Sequence, residues 1–137
     1  MNGKNIVASE YIDGNAANLK AVNPATGLLL DGAFYRAGDN EVDAALAAAT
    51  AAFQTYRNIN KDAKAAFLNA IAEEITGIGE ELIARASAES GLPLPRLQGE
   101  LGRTTGQLRL FANLVAEGSW VDAIIDTALP GRQPLPR

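Results

Sequence analysis

The stretch Leu92–Gly118, LPLPRLQGELGRTTGQLRLFANLVAEG, constrains this chain more than any other. Leu94, Leu97, Leu101, Thr104/Thr105, Leu108, Phe111 and Val115 recur in steps of three and four residues. That spacing places them in one stripe along a helix of about six turns. Gly99, Gly102 and Gly106 fall together on nearly the opposite side. Each glycine inside a helix costs roughly 0.8–1 kcal/mol relative to alanine, so three of them require tertiary packing in return. A helix with an apolar stripe on one side and a bare glycine strip on the other is expected to be covered on both. It reads as an interior helix of a larger body.

The segments before it change period once. Over 1–38 the pattern is one of short extended pieces and turns. Tyr11-Ile12 runs into Asp13-Gly14, a dipeptide that favours a tight hairpin turn because both positions accept positive φ. Leu19–Val22 and Leu28–Leu30 flank Asn23-Pro24-Ala25-Thr26-Gly27, where proline presets φ and glycine closes the turn. Phe34-Tyr35 reads as a further extended piece between Gly32 and Gly38.

From Asn40 the spacing predicts a helix capped by Asp39 or Asn40, with Asp43 in its first turn and Val42, Ala45/Leu46, Ala49 and Phe53 along one face. A second helix is expected from Lys61 to Thr76, capped by Asn60 and stopped by Gly77, with Lys64, Phe67/Leu68, Ile71 and Ile75 inward. A third runs from Glu80 to Ser90, with Leu82/Ile83 and Ala86 inward and Gly91 as its C-cap. Pro95 opens the fourth, where Arg96 and Glu100 form an i,i+4 pair. After Gly118, Trp120–Asp126 alternates as a strand, and TALPGRQPLPR reads as an extended arm. The fold class is a mainly α fragment of an α/β protein. Its three parts are strands and turns over 1–38, four helices over 39–118, and a strand plus proline-rich arm over 119–137.

Composition closes many routes to function. The sequence holds no cysteine and no histidine, which removes thiol nucleophiles, disulfides, cysteine or histidine metal sites and imidazole acid–base chemistry from these residues. Lysine and arginine number 12 against 16 acids, for a formal charge of -4. That balance argues against a nucleic-acid surface, which requires a basic excess. No run is apolar enough for a membrane span and the start MNGKNIVASE lacks a signal peptide's apolar core, so a cytoplasmic protein is expected. Gly102-Arg-Thr-Thr-Gly106 lacks the lysine followed by serine or threonine of a phosphate loop and lies in a helical pattern; Gly77-Ile78-Gly79 reads as a helix stop and turn. Glu73-Glu74, Glu80-Glu81, Glu89 and Glu100 scatter over several helices and read as solvated faces. Neither a paired-carboxylate site nor a metal site is expected.

Several of these motifs resemble one family. Asn23-Pro24-Ala25-Thr26-Gly27, the Val42–Phe53 helix, Glu89-Ser90-Gly91-Leu92-Pro93 and the run from Glu100 to Ala112 are similar to the N-terminal quarter of the aldehyde dehydrogenase superfamily. Continued through Glu117–Asp122, the last run most resembles the branch that oxidises 2-oxoglutarate semialdehyde (2,5-dioxopentanoate), often with NADP. The resemblance implies a parent several times longer, with a Rossmann-like cofactor domain, a catalytic domain and a β-ribbon for oligomerisation. Its catalytic cysteine, glutamate, oxyanion asparagine and glycine-rich cofactor loop all lie beyond the part matched, so no catalytic, cofactor-binding or metal residue carries over. NAD or NADP would be bound by the parent, not by these residues.

On the same analogy the long helix passes near the substrate entrance. Arg103, Gln107 and Phe111 are then the substrate-contact candidates, with Phe111 as an apolar tunnel wall and Arg103 or Gln107 meeting a distal carboxylate. A guanidinium matches a carboxylate's plane bidentately. The competing readings are an interdomain hydrogen bond for Arg103 and Gln107 and core packing for Phe111; Trp120 reads as a packing anchor. Implied partners are the remaining domains of the same polypeptide and further copies of the parent. The alternative function is a non-catalytic helical interaction domain. The piece alone is expected to be inactive and, with its apolar faces open, to self-associate.

Overall fold

The structure, a computed structural model, describes residues 3–14, 18–125, 127–131 and 133 of the 137-residue chain. It begins with an antiparallel hairpin of β1 (Asn5–Val7) and β2 (Glu10–Ile12), paired Asn5 to Ile12, Ile6 to Tyr11 and Val7 to Glu10. The turn is Ala8-Ser9, with φ of 52° and 69°, and not the expected Asp13-Gly14. Two left-handed positions in a two-residue loop suit the twist of the strands. Neither alanine nor serine advertises that conformation, so composition pointed past the true turn. Gly14 has another task. A β-carbon there would lie 2.0 Å from the Arg36 carbonyl oxygen, so its bare backbone lets the hairpin meet residues 33–36.

The arm over 18–38 folds back on itself as expected. Gly27 (φ 71°) donates its N–H to the Asn23 carbonyl at 2.8 Å, and the turn closes antiparallel bridges Val22 to Leu29 and Leu19 to Phe34. Tyr35 N–H donates to the Gly3 carbonyl at 3.1 Å, and Asn5 Nδ2 to the Tyr35 carbonyl at 3.3 Å. The hairpin is thereby tied to the end of the arm.

Four helices follow. In α1 (Asp39–Tyr56) the cap differs from expectation: Gly38 N–H donates to the Glu41 carboxylate at 2.7 Å, with no side-chain bond from the capping residue itself. Glu41 reaches back one turn to satisfy that amide, as the acidic half of a capping box does. α2 (Lys61–Gly77) opens as anticipated, Asn60 Oδ1 accepting from Ala63 N–H at 2.7 Å. Ile78 separates it from α3 (Gly79–Ser90), which ends on Gly91 at φ 71°. α4 (Leu94–Glu117) carries Pro95 in its first turn and closes on Gly118 at φ 90°.

The core is the seam between α2 and α4, and its innermost side chains are small: Ala72 is 0% exposed, Ala112 1% and Ala65 8%. Thr105 is buried there too, its hydroxyl donating to the Leu101 carbonyl at 3.0 Å. This return bond to the preceding turn satisfies the hydroxyl without a partner from the other helix. α3 joins at Gly79, where a β-carbon would stand 2.9 Å from Leu101 Cδ2.

Two faces read as covered within a larger body stand open among the described residues, and one expectation fails. The α1 stripe is not covered: Leu46 is 62% and Phe53 53% exposed, and the helix rests instead on β1 through Ala45, Ala48, Ala49 and Ala52 beside Ile6, Val7 and Ala8. The glycine side of α4 is likewise open, with no neighbouring atom of the described residues within 4 Å of a β-carbon built at Gly99, Gly102 or Gly106. The strand expected over Trp120–Asp126 is absent among the described residues. Ser119–Val121 forms one 3-10 turn, Asp122 turns left-handed at φ 51°, and residues 123–125 run on without a ladder partner. Alternation alone makes no strand when nothing lies alongside to pair with it. Asp126 and most of the arm after Gly131 lie outside the described residues.

Candidate functional site

α2 and α4 part toward one side of their seam and leave a groove of about 770 Å³. Leu68, Ile71 and Ile75 of α2 form one wall; Arg103, Thr104, Gln107, Leu108, Phe111 and Val115 of α4 form the other. The helical period explains the membership. Arg103, Gln107 and Phe111 are spaced by four, so they follow one another up a single edge of α4. Leu108 and Val115 lie deeper on the same side, continuous with the buried Thr105 and Ala112.

All three side chains singled out from the sequence therefore line one groove. Their order along it has chemical content. From Arg103 to Phe111 the helix rises about 12 Å, with Gln107 midway. A cationic fork thus stands at one end, an amide in the middle and an aromatic ring beyond, against an aliphatic wall. Such a groove suits a short, mostly apolar molecule with an anionic end.

Arg103 is 78% exposed and is held by a neighbour on its own helix. Its Nε donates to Glu100 Oε2 at 2.9 Å, and Nη2 donates to the same oxygen. Those hydrogen bonds, with the guanidinium charge and a smaller contribution from Arg96, hold the Glu100 carboxyl below its ordinary 4.5. The expected Arg96–Glu100 pair is present at 4.0 Å, looser than the Arg103 contact. Both partners are wet, so the pair is screened and readily exchanged for another carboxylate.

Read from the sequence, the aliphatic wall of α2 is plain packing. The signal was there, since Leu68, Ile71 and Ile75 belong to the inward stripe, but a stripe does not say where a seam gapes. Trp120 lies outside the groove and is exposed. Among the described residues no group of three or more acidic side chains comes together to hold a metal ion. No described helix is long and apolar enough to cross a membrane. Gly102–Gly106 lies within α4 and Gly77–Gly79 joins two helices, so neither glycine pair follows a strand as a dinucleotide-phosphate loop requires.

Residues 11–132 match the aldehyde dehydrogenase family. The chain is 47% identical over 138 residues to alpha-ketoglutaric semialdehyde dehydrogenase 2 of Azospirillum brasilense, covering 100% of this chain and 26% of that protein. It is 45% identical over 140 residues to alpha-ketoglutaric semialdehyde dehydrogenase of Acinetobacter baylyi, covering 99% of this chain and 26% of the relative. The fold superposes on an Escherichia coli NADP dependent enzyme with a TM-score of 0.78 at 24% identity, over 97% of this chain and 26% of the other. It superposes on a betaine aldehyde dehydrogenase of Staphylococcus aureus with a TM-score of 0.80 at 17% identity, over 93% and 26% respectively. The chain thus spans about a quarter of the length of these relatives. It belongs to the aldehyde dehydrogenase family.

Proposed function

We propose that these residues are the N-terminal part of an NAD(P)-dependent aldehyde dehydrogenase that oxidises 2-oxoglutarate semialdehyde, or a similar semialdehyde with a distal carboxylate, to the diacid. The observation that carries the reading is the α2–α4 groove, with Arg103 at one end of a mostly apolar channel. The two relatives of nearly half-identical sequence, both named for alpha-ketoglutaric semialdehyde, support it. In this reading Arg103 takes the substrate carboxylate from Glu100, Gln107 hydrogen-bonds along the chain, and Phe111 walls the aldehyde end against water.

The chemical step belongs to the rest of the polypeptide. Without cysteine or histidine these residues offer no thiol to attack an aldehyde and no imidazole to move its proton. A nicotinamide held by the rest of the polypeptide would accept the hydride in such an oxidation. The three segments over 1–38, 39–118 and 119–137 then act as scaffold, with the helices packed on the cofactor domain. Other copies of a cytoplasmic homo-oligomer are the remaining partners.

The test is an aldehyde-dependent NAD(P)H assay on the intact parent polypeptide. Replacing Arg103→Met is expected to raise KM for the carboxylated semialdehyde roughly 10- to 100-fold, the value of a lost charge-assisted hydrogen bond. An uncharged aldehyde of similar length is expected to lose almost nothing. Equal losses on both substrates would remove Arg103 from substrate recognition. A polypeptide that ends at Arg137 and shows no turnover would leave the helical interaction domain as the reading.

A further inference from the structure

The arm over 18–38 meets its own backbone needs without the helices. Leu19 N–H and the Phe34 carbonyl (2.7 Å), Phe34 N–H and the Leu19 carbonyl (2.8 Å), and Leu30 N–H and the Ala21 carbonyl (2.8 Å) close it into a ribbon. A two-stranded ribbon of this size is marginal alone and must be fastened to something. Its fastening to the helical layer converges on one side chain. Arg85 of α3 donates from Nη1 to the Asp31 carbonyl at 2.6 Å, across 54 residues of sequence. Its guanidinium carbon stands 5.6 Å from the centre of the Phe34 ring, placing the cation within reach of the aromatic face. Glu89, one turn along α3, accepts from Nε at 2.5 Å and sets the orientation of the fork.

Gly32 lies under the same guanidinium at φ 96°, a β-carbon there reaching 3.8 Å from Nη1. The chain thus bends at a left-handed residue directly beneath the arginine. Nη2 is buried without an acceptor among the described residues, so the fork engages the arm through one hydrogen bond and one ring. A second tether, Pro24 against Gly91, is an apolar touch (a β-carbon at Gly91 would stand 3.2 Å from Pro24 Cγ).

We propose that Arg85 is the latch of a strap: residues 18–34 open and close on α3 while Tyr35 stays tied to the hairpin, independently of the α2–α4 seam, and the Arg85 contacts with Asp31 and Phe34 set the closed population. A segment held to the helices by a few contacts gathered on α3 and its C-cap, over a core that does not depend on them, is the situation in which local opening precedes global unfolding. The latch stands on contacts outside the groove and does not rest on the proposed activity.

Amide hydrogen exchange on the intact polypeptide tests it. Arg85→Met keeps the aliphatic stem and removes the charge and donors. The amides of Leu19, Leu30 and Phe34 are then expected to exchange at least tenfold faster, with those around Ala72 and Ala112 unchanged. Arg85→Lys, which keeps a charge near the ring but not the fork, is expected to restore part of the protection. Strap amides unchanged in Arg85→Met would overturn the latch. So would equal acceleration in the strap and the seam, which would make Arg85 an ordinary stability residue. Should Arg85→Met lose helix content by circular dichroism, Glu89→Gln takes its place: faster strap exchange over an unchanged seam supports the latch, and no change overturns it.

Discussion

α1 and α2 are nearly the same length and similarly rich in alanine, yet one has no buried residue and the other supplies half of the core. The difference is the partner. α2 packs on α4, and the buried residues of the pair, Ala65 and Ala72 of α2 and Thr105 and Ala112 of α4, are all small, which lets two helices approach closely. In α1, Ala45, Ala48, Ala49 and Ala52 lie beside the short hairpin, and Val42, Leu46 and Phe53 are exposed among the described residues. An amphipathic pattern states that a face is to be covered, not by what. α1 shows such a face uncovered.

The largest effect should separate these two helices. Ala72→Leu inserts three carbons where no surface is exposed, and overpacking of this kind costs about 1–3 kcal/mol. Ala51→Leu places the same side chain on the open part of α1 and is expected to change stability by less than about 0.5 kcal/mol. Thermal melts of the two variants measure the contrast. Similar melting temperatures would mean that the seam is not the core.

Next in size is a substitution whose sign reports on covering. Gly102→Ala is expected to stabilise these 137 residues by about 0.5–1 kcal/mol, because nothing lies within 4 Å of the new methyl and alanine is the better helix former. In the intact parent, a domain packed on the glycine strip would reverse the sign. Stabilisation in both would show that the strip stays bare and would remove the reason for three glycines.

Caps sharpen the same contrast at a smaller scale. Asn60→Ala removes the bond to Ala63 N–H and is expected to lower global stability by about 1 kcal/mol, since α2 cannot fray without opening the seam. Glu41→Ala removes the bond to Gly38 N–H, but loosening the start of α1 leaves the seam intact. Its effect should appear as faster exchange within the first turn of α1 and only a small change in melting temperature.

Much of this architecture could be read from the chain where the decisive interaction is local. Asn60, Gly91 and Gly118 act within one turn of themselves, and Asn23–Gly27 closes its own hydrogen bond, so their residue types suffice. Where a distant partner decides, the pattern misled. Ala8-Ser9 turns left-handed while Asp13-Gly14 does not form the hairpin, and residues 120–125 find no neighbouring strand among the described residues. The groove falls between these cases. Spacing put Arg103, Gln107 and Phe111 on one edge and family resemblance singled them out, but that Leu68, Ile71 and Ile75 stand opposite depends on how two helices cross.

The smallest expected effect bears on the state of Arg103 before any ligand arrives. Glu100 is held below its ordinary 4.5 chiefly by the Arg103 hydrogen bond, then by its charge, with Arg96 lesser. A depressed carboxyl contributes stability above its unfolded value and loses it as pH falls through the folded one, so this contribution fades in the acid range below about 4.5. Exposure and screening keep it slight. The pKa itself is the better observable. In Arg103→Met the Glu100 midpoint should rise toward the ordinary value, measured by carboxyl carbon NMR titration. Glu117, held low by the hydroxyl and N–H of Ser119 instead, should not move. A Glu100 midpoint indifferent to Arg103 would mean that the guanidinium is not parked on its own helix. An incoming carboxylate would then meet a free fork, with no ion pair to displace. In the parent, Glu100→Gln would in that case leave KM for a carboxylated aldehyde unchanged, whereas a parked Arg103 predicts that it falls.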